Sequence, residues 1–97
     1  MKLRFTLQAT QDLIDIAEYI REENPSAAER VRGAILKSLQ LLTSFPNLGR
    51  RQSVQGVRKM VTRRYGYLVY YLVDADAAEV MILAIRHPAR GRSIQDA

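Results

Sequence analysis

The sequence predicts an α+β domain in which two helices pack on one face of an antiparallel sheet. Two observations on residue pattern lead to this class. Apolar residues recur at helical spacing between residues 9 and 44, and from residue 57 to 86 they alternate or run together as they do in strands. The third observation is length: 97 residues make one domain, so we predict a single domain over residues 1–97.

The N-terminal segment predicts a short strand and then a helix. Leu3, Phe5 and Leu7 alternate with polar residues, which is typical of a strand with one buried face. From Ala9 to Arg21 the apolar side chains fall on one helical stripe, and the acidic side chains fall away from it. An amphipathic helix therefore follows the strand.

A second helix begins after a clear break in the pattern. Asn24 is a favourable N-cap, and Pro25 suits the first position of a helix. The apolar stripe continues to Ser44, and Pro46 and Gly49 then act as stop signals. Because the link between the two amphipathic helices is so short, we expect an antiparallel helical hairpin.

The remaining residues predict a three-stranded antiparallel meander. The strands are expected at Val57–Thr62, Tyr65–Val73 and Glu79–Arg86, with a turn at residues 74–77 between the last two. The last strand is almost entirely apolar, so we expect it to be central. The predicted order is β-α-α-β-β-β.

Composition excludes several kinds of chemistry. The chain has no cysteine, which excludes disulfides, thiol catalysis and cysteine metal sites. His87 is the only histidine, so a metal site with several histidines is impossible. No apolar run is long enough for a membrane helix or a signal peptide. We therefore expect a cytoplasmic protein with no metal, no cofactor and no membrane partner.

The charge is concentrated in the second half of the chain. The first 49 residues carry six basic and six acidic side chains, whereas residues 50–97 carry nine basic and four acidic ones. The formal net charge is +5, and no acidic residue lies between Arg50 and Arg64. This pattern indicates an acidic or polyanionic partner, although a solvated face that only keeps the protein soluble would look the same.

The predicted meander brings cations together at one end of the sheet. Its last hairpin places Arg86 and His87 beside Tyr65, and Arg63 and Arg64 lie at the preceding turn. We therefore predict one basic rim. The candidate residues for binding an acidic partner or target are Arg50, Arg51, Arg58, Arg63, Arg64, Tyr65, Arg86, His87, Arg90 and Arg92.

A series of short motifs, in order and in register, covers almost the whole chain. These are Asp12-Leu13-x-x-Ile16-x-x-Tyr19-Ile20, Asn24-Pro25-x-Ala27-Ala28, Phe45-Pro46-x-x-Gly49-Arg50, Val57-Arg58, Tyr67-x-Val69-x-Tyr71-x-Val73 and Val80-x-Ile82-x-x-Ile85-x-His87-x-x-Arg90. With these motifs the sequence resembles the ParE branch of the RelE/ParE toxins, which belong to bacterial type II toxin–antitoxin modules.

The resemblance implies a fold, a partner and a target. The fold is the small α+β toxin fold. The partner is a cognate antitoxin whose C-terminal segment, expected to be acidic, adds a strand to a sheet edge or lays a helix in a groove beside the second helix. DNA is then bound only through the antitoxin complex. The target is DNA gyrase for ParE-like members and ribosome-bound messenger RNA for RelE-like members, and either would explain growth arrest and plasmid stabilisation.

The residues favour gyrase over the ribosome. RelE-like nucleases resemble one another in placing lysines on the second strand and an arginine after a Gly-Tyr pair. Here Lys59 fits one lysine position, but Val61 occupies the other, and Leu68 follows Gly66-Tyr67. We therefore favour a gyrase-binding inhibitor that is not an enzyme.

Two alternatives stay open. The first is a metal-independent endoribonuclease in which His87 acts as a general base, although this histidine is expected only to order the following loop through a hydrogen bond. The second is a non-toxic remnant that only binds its antitoxin or DNA. The candidate catalytic residues of the nuclease alternative are Lys59, Arg63, Arg64, His87 and Arg90.

Expectations for two groups of side chains complete the predictions. The tyrosines of the strands are expected to pack in the sheet, although they could also stack on bases. Arg50 and Arg58 are expected to contact a phosphate or an acidic antitoxin tail, or else to pair with the acidic helix faces.

Overall fold

A five-stranded sheet with a helical hairpin on one face makes up the computed structural model, which describes residues 1–89. The α+β class and the helical hairpin are confirmed. The elements, in chain order, are β1 (Lys2–Phe5), α1 (Leu7–Glu23), α2 (Pro25–Ser44), β2 (Arg50–Arg51), β3 (Val57–Val61), β4 (Leu68–Asp74) and β5 (Glu79–Arg86).

The strand order in the sheet is β1-β5-β4-β3-β2. Strands β2 to β5 form antiparallel pairs, as predicted for the meander. β1 instead pairs with β5 in parallel, with Lys2 opposite Glu79 and Phe5 opposite Ile82. The expectation of a wholly antiparallel sheet is therefore wrong at this edge. The helical hairpin carries the chain across the sheet, so the meander starts at the far edge and its last strand returns beside β1.

The structure adds one strand and shortens three predicted ones, of which β3 loses only Thr62. β2 contains only two exposed arginines, which pair with Lys59 and Arg58, and nothing in their apolar pattern predicts a strand. Leu7 is the first residue of α1 because the Thr6 hydroxyl accepts a hydrogen bond from the Ala9 N–H at 3.0 Å and caps the helix. At the start of the predicted second strand of the meander, residues 65 and 66 form a turn with positive φ angles of 69° and 65°.

A single residue, Asn24, both ends α1 and begins α2. Its backbone N–H donates to the Ile20 carbonyl at 2.8 Å, and its side chain accepts from the Ala27 N–H at 3.2 Å. Pro25 then occupies the first turn of α2, as predicted. Within residues 1–89, neither helix combines the length and the apolar character needed to cross a membrane.

The core lies between the helical hairpin and the sheet. Apolar side chains of both helices form one buried cluster with those of β3, β4 and β5. β5 has a neighbour on both sides, so it is an interior strand, and β4 is the middle strand of the five. The largest fully buried side chains are Tyr71, Ile35, Leu39, Leu42, Ile82, Ile85, Val69 and Val80.

Candidate functional site

The loop between α2 and β2 is held by the buried hydroxyl of Tyr71. This hydroxyl donates to the Pro46 carbonyl at 2.8 Å and accepts from the Gly49 N–H at 2.7 Å. Burial raises the pKa of Tyr71, and the Gly49 N–H and the Arg58 charge oppose part of the shift. A Cβ at Gly49 would lie 2.8 Å from the Tyr71 ring and 2.9 Å from the Lys59 carbonyl oxygen, so this close approach requires glycine.

Arg58 supports the same loop. Its guanidinium donates to the Gly49 carbonyl at 2.7 Å and to the Asn47 carbonyl at 3.3 Å. It therefore does not pair with the acidic helix faces, which was one expectation for this residue. The Phe45-Pro46-x-x-Gly49 motif, Arg58 and Tyr71 together fix the path by which the chain enters β2.

The C-terminal end of β5 is bound to α1 through Asp12. β1 ends at Phe5, so the backbone N–H of Ile85 has no strand beside it, and the Asp12 carboxylate accepts its hydrogen bond at 2.9 Å. The same carboxylate accepts from Arg86 at 2.6 Å and from Gln8 at 2.7 Å. Asp12 is only 5% exposed, so these three donors compensate for the loss of its solvent.

His87 lies next to this ion pair and has structural contacts of its own. Its ring meets the Tyr67 ring edge to face, with centroids 5.6 Å apart, and its Nδ1 accepts from the Ala89 N–H at 3.0 Å. The hydrogen bond expected for the non-catalytic alternative is therefore present. His87 and Arg86 share a small depression of about 210 Å³ with Asp12 and Asp15.

Most of the other predicted cations line an open groove, which we call the basic groove. Its wide part, about 800 Å³, lies between α2 and the edge of the sheet, and residues from both sides line it: Ser38, Leu41, Leu48, Arg50, Lys59 and Arg63. Its narrow part, about 510 Å³, continues along α2 and shares Ser38, Leu41 and Arg63 with the wide part. The narrow part is further lined by Arg30, Gly33, Ala34, Lys37 and Arg64.

The basic groove combines positive charge with apolar surface. Arg51 also lines the wide part, which brings the cations of the groove to Arg30, Lys37, Arg50, Arg51, Lys59, Arg63 and Arg64. Within residues 1–89, no carboxylate lines the groove or forms an ion pair with one of its cations. Leu41, Leu48 and Val61 expose large apolar side chains in the wide part. This arrangement suits an acidic ligand that also carries apolar groups.

Arg86 and His87 lie at the same end of the sheet as the turn that holds Arg63 and Arg64, as predicted, because Arg86 pairs with Leu68 and Pro88 lies 3.9 Å from the Cβ position of Gly66. The two groups line different depressions. Arg63 and Arg64 lie in the basic groove, whereas Arg86 and His87 lie at the end of β5 that faces α1. Arg58 is engaged with the loop before β2. Arg90 and Arg92 lie outside the described residues. The contact of each of these residues with a partner stays a prediction.

The tyrosines behave largely as expected for sheet packing. Tyr67, Tyr70 and Tyr71 are buried. Tyr65 is 44% exposed, and the guanidinium of Arg64 lies 5.4 Å from the centre of its ring. This pair adds a cation and an aromatic face to the turn at one end of the groove.

Reasoning from the sequence missed three contributors. The sequence marks Asp12 only as a motif residue and as an acid on a predicted helix. No local pattern indicates that its carboxylate accepts a strand N–H that would otherwise lack a partner. Arg30 and Lys37 belong to the charge-balanced half of the chain, so the half-by-half charge count hides them. Arg30 and Lys37 are seven residues apart and therefore lie on one stripe of α2, and no acid lies between them on that stripe. This spacing could have predicted that they share one surface.

Two positions that would be cationic in the nuclease resemblance lie directly opposite each other. Val61 of β3 pairs with Leu68 of β4. Both side chains are aliphatic, so the point where two cations would meet carries no charge. Among residues 1–89 there is also no group of three histidine, aspartate or glutamate side chains that could hold a metal ion.

Comparison with known proteins identifies the family. Residues 3–91 match the family described as the ParE toxin of the type II toxin–antitoxin system parDE. Toxin RelE3 of Caulobacter vibrioides is 34% identical over 87 residues, which cover 88% of this chain and 91% of that protein.

Solved structures agree with this match. The chromosomal ParDE system of P. aeruginosa includes a chain with a TM-score of 0.78 and 26% identity, covering 90% of this chain and 95% of that one. A chain of the E. coli RelBE toxin–antitoxin complex has a TM-score of 0.62 at 18% identity, covering 92% and 98%, and shows the shared fold. The chain described here belongs to the ParE toxin family of type II toxin–antitoxin systems.

Proposed function

We propose that this toxin acts by inhibiting DNA gyrase and that a cognate antitoxin neutralises it by binding. The observation that carries the choice of target is the aliphatic pair formed by Val61 and Leu68. Cleavage of RNA without a metal needs groups that move protons and cations that stabilise the phosphate, all within reach of one scissile bond. The aliphatic pair removes two such cations from the place where the nuclease resemblance would put them.

Two of the remaining candidate nuclease residues, Lys59 and His87, are also far apart. Lys59 pairs with Tyr70, and Tyr70 pairs with Ala84, which is three residues before His87. Two strand spacings separate their backbones by about 10 Å across the sheet, and three residues separate them by about another 10 Å along it. His87 is moreover held by Tyr67 and Ala89. This separation supports a toxin that inhibits its target by binding rather than a toxin that cleaves RNA.

The gyrase proposal is tested by a supercoiling assay with the purified toxin. We expect loss of supercoiling and accumulation of cleaved DNA, both of which should be reversed by prior addition of the protein encoded by the adjacent gene. The toxin has an isoelectric point of about 10.0, so it could inhibit by coating DNA. An unrelated folded protein of similar isoelectric point is therefore the control, and it should leave gyrase active.

The alternative targets appear as other outcomes of the same set of experiments. Unaffected gyrase together with cleaved messenger RNA in a translating ribosome extract would overturn the proposal in favour of the nuclease. Unaffected gyrase, intact messenger RNA and no growth arrest on expression would indicate the non-toxic remnant.

A further inference from the structure

We propose that an acidic segment of the antitoxin lies in the narrow part of the basic groove and contacts α2 directly at Gly33. The inference rests on the proposed neutralisation by an antitoxin and assigns that contact to one position of the toxin. It follows from the glycine itself, from the unpaired charge around it and from the apolar surface next to it.

Gly33 lies in the interior of α2, eight residues after its first residue, Pro25, and eleven before its last, Ser44. Glycine destabilises a helix interior relative to alanine because its backbone loses more freedom on folding. A Cβ at this position would have no atom within 4 Å, so no packing within residues 1–89 requires the absence of a side chain. The open space above Gly33 instead allows another chain to approach the helix backbone.

The side chains around Gly33 select the charge of that chain. Arg30 and Lys37 flank it on the same stripe of α2, and Arg63 and Arg64 face it from the turn between β3 and β4. No carboxylate among residues 1–89 pairs with any of these four cations. An acidic segment would satisfy them and would be steered towards the groove by their charge.

The apolar surface favours a protein segment over a nucleic acid. Ala34 and Leu41 line the narrow part, and Leu48 and Val61 continue the apolar surface into the wide part. A sugar–phosphate backbone would satisfy the cations and leave these side chains against water or phosphate. An amphipathic acidic segment would cover both kinds of surface.

The test compares two substitutions at Gly33 with a control on the same helix. Gly33→Ala should raise the melting temperature of the free toxin by about 3–6 °C, because alanine favours the helix. The same change should weaken binding of the protein encoded by the adjacent gene about tenfold, and Gly33→Leu should weaken it about 100-fold, because each fills space that the partner needs. The measurements are calorimetric titration and thermal unfolding monitored by circular dichroism.

Arg32→Ala is the matched control. Arg32 is an exposed residue of α2, next to Gly33 in sequence, and it lines a different depression together with Glu18 and Glu29. Its replacement also introduces alanine and removes a positive charge. Binding to the adjacent-gene protein should change less than threefold.

Each outcome has a definite meaning. A more stable Gly33→Ala toxin that binds more weakly supports the inference. Wild-type affinity in Gly33→Leu overturns it and leaves neutralisation by the antitoxin intact. No binding by the wild-type toxin overturns both. Unchanged binding to the adjacent-gene protein, together with weaker binding of Gly33→Leu to a 20-base-pair DNA duplex, would reassign the groove to nucleic acid.

Discussion

The cations at the end of β5 and those of the basic groove differ in whether the fold supplies them with a partner. At the end of β5, Arg86 is paired with a carboxylate that is itself buried, and His87 is held by a ring and a backbone N–H. In the basic groove, seven cations share a surface with no carboxylate from residues 1–89. The difference teaches that a basic residue near a sheet end is left without an acidic partner only where the fold places no carboxylate beside it. Charge in the sequence reports the number of cations, and the fold decides which of them are free.

The largest effect on this difference is expected from removing Asp12, the acid that pairs with Arg86. Asp12→Ala leaves Arg86 and the Ile85 N–H without a partner in a largely buried place. We expect the free energy of unfolding to fall by about 3–5 kcal/mol. Asp15→Ala is the control, since Asp15 is exposed and, within residues 1–89, accepts a hydrogen bond only from Gln11, and it should change stability by less than about 0.5 kcal/mol. Urea unfolding of both variants would decide, and equal losses would show that Asp12 is not a structural clamp.

Next in size is the hydroxyl that supports the wall of the groove. Tyr71→Phe leaves the Gly49 N–H and the Pro46 carbonyl without their partner, and we expect a loss of about 1–3 kcal/mol in urea unfolding. Tyr65→Phe, at an exposed tyrosine, should change stability by less than about 0.5 kcal/mol. A loss as small as that of the control would mean that the loop is held without Tyr71.

A smaller effect is expected at Tyr70, which lies close to Arg86. Burial raises the pKa of Tyr70, and the charge of Arg86 opposes part of the shift. Its hydroxyl is buried without a hydrogen-bond partner in the described structure, so Tyr70→Phe should leave stability at pH 7 unchanged or raise it by about 1 kcal/mol.

The pH dependence of this variant sharpens the prediction. Because the folded state holds the Tyr70 proton more tightly, its contribution is fully present below the ordinary tyrosine pKa of 10.0 and is lost as pH rises above it. Urea midpoints measured from pH 8 to 11 should fall less steeply for Tyr70→Phe than for the wild type. Parallel curves would contradict the assignment.

The smallest change in stability should come from the groove itself. Lys37→Gln and Arg63→Gln should each alter the free energy of unfolding by less than about 0.5 kcal/mol, because neither cation has an acidic partner among residues 1–89. Arg86→Gln should cost more than either of them. The same urea series, repeated in 0.5 M salt, would reveal any hidden pairing as a salt-dependent loss of stability.

The helices and long strands followed from the sequence because their signals are local. The Asn24-Pro25 cap and the apolar stripe predicted α2 with its observed bounds, and the apolar run predicted β5. The parallel β1, the two-residue β2 and the ion pair of Arg86 with Asp12 could not be predicted, because each depends on which segments meet in three dimensions. The basic groove was predicted in part. The cations from Arg50 onward were evident from the charge count, but the cations of α2 were not, because acidic residues elsewhere on the helices balance them in that count.

Asp12 also bears on whether a strand of another molecule can pair with the exposed end of β5. An unpaired N–H at the rim of a sheet is a template on which a strand of another molecule can add, and such additions lead to aggregates. By accepting the Ile85 N–H, the carboxylate closes that template with a charged side chain. Loss of Asp12 would therefore do more than weaken the fold, since molecules that are still folded would expose an unpaired strand end to which another strand can add.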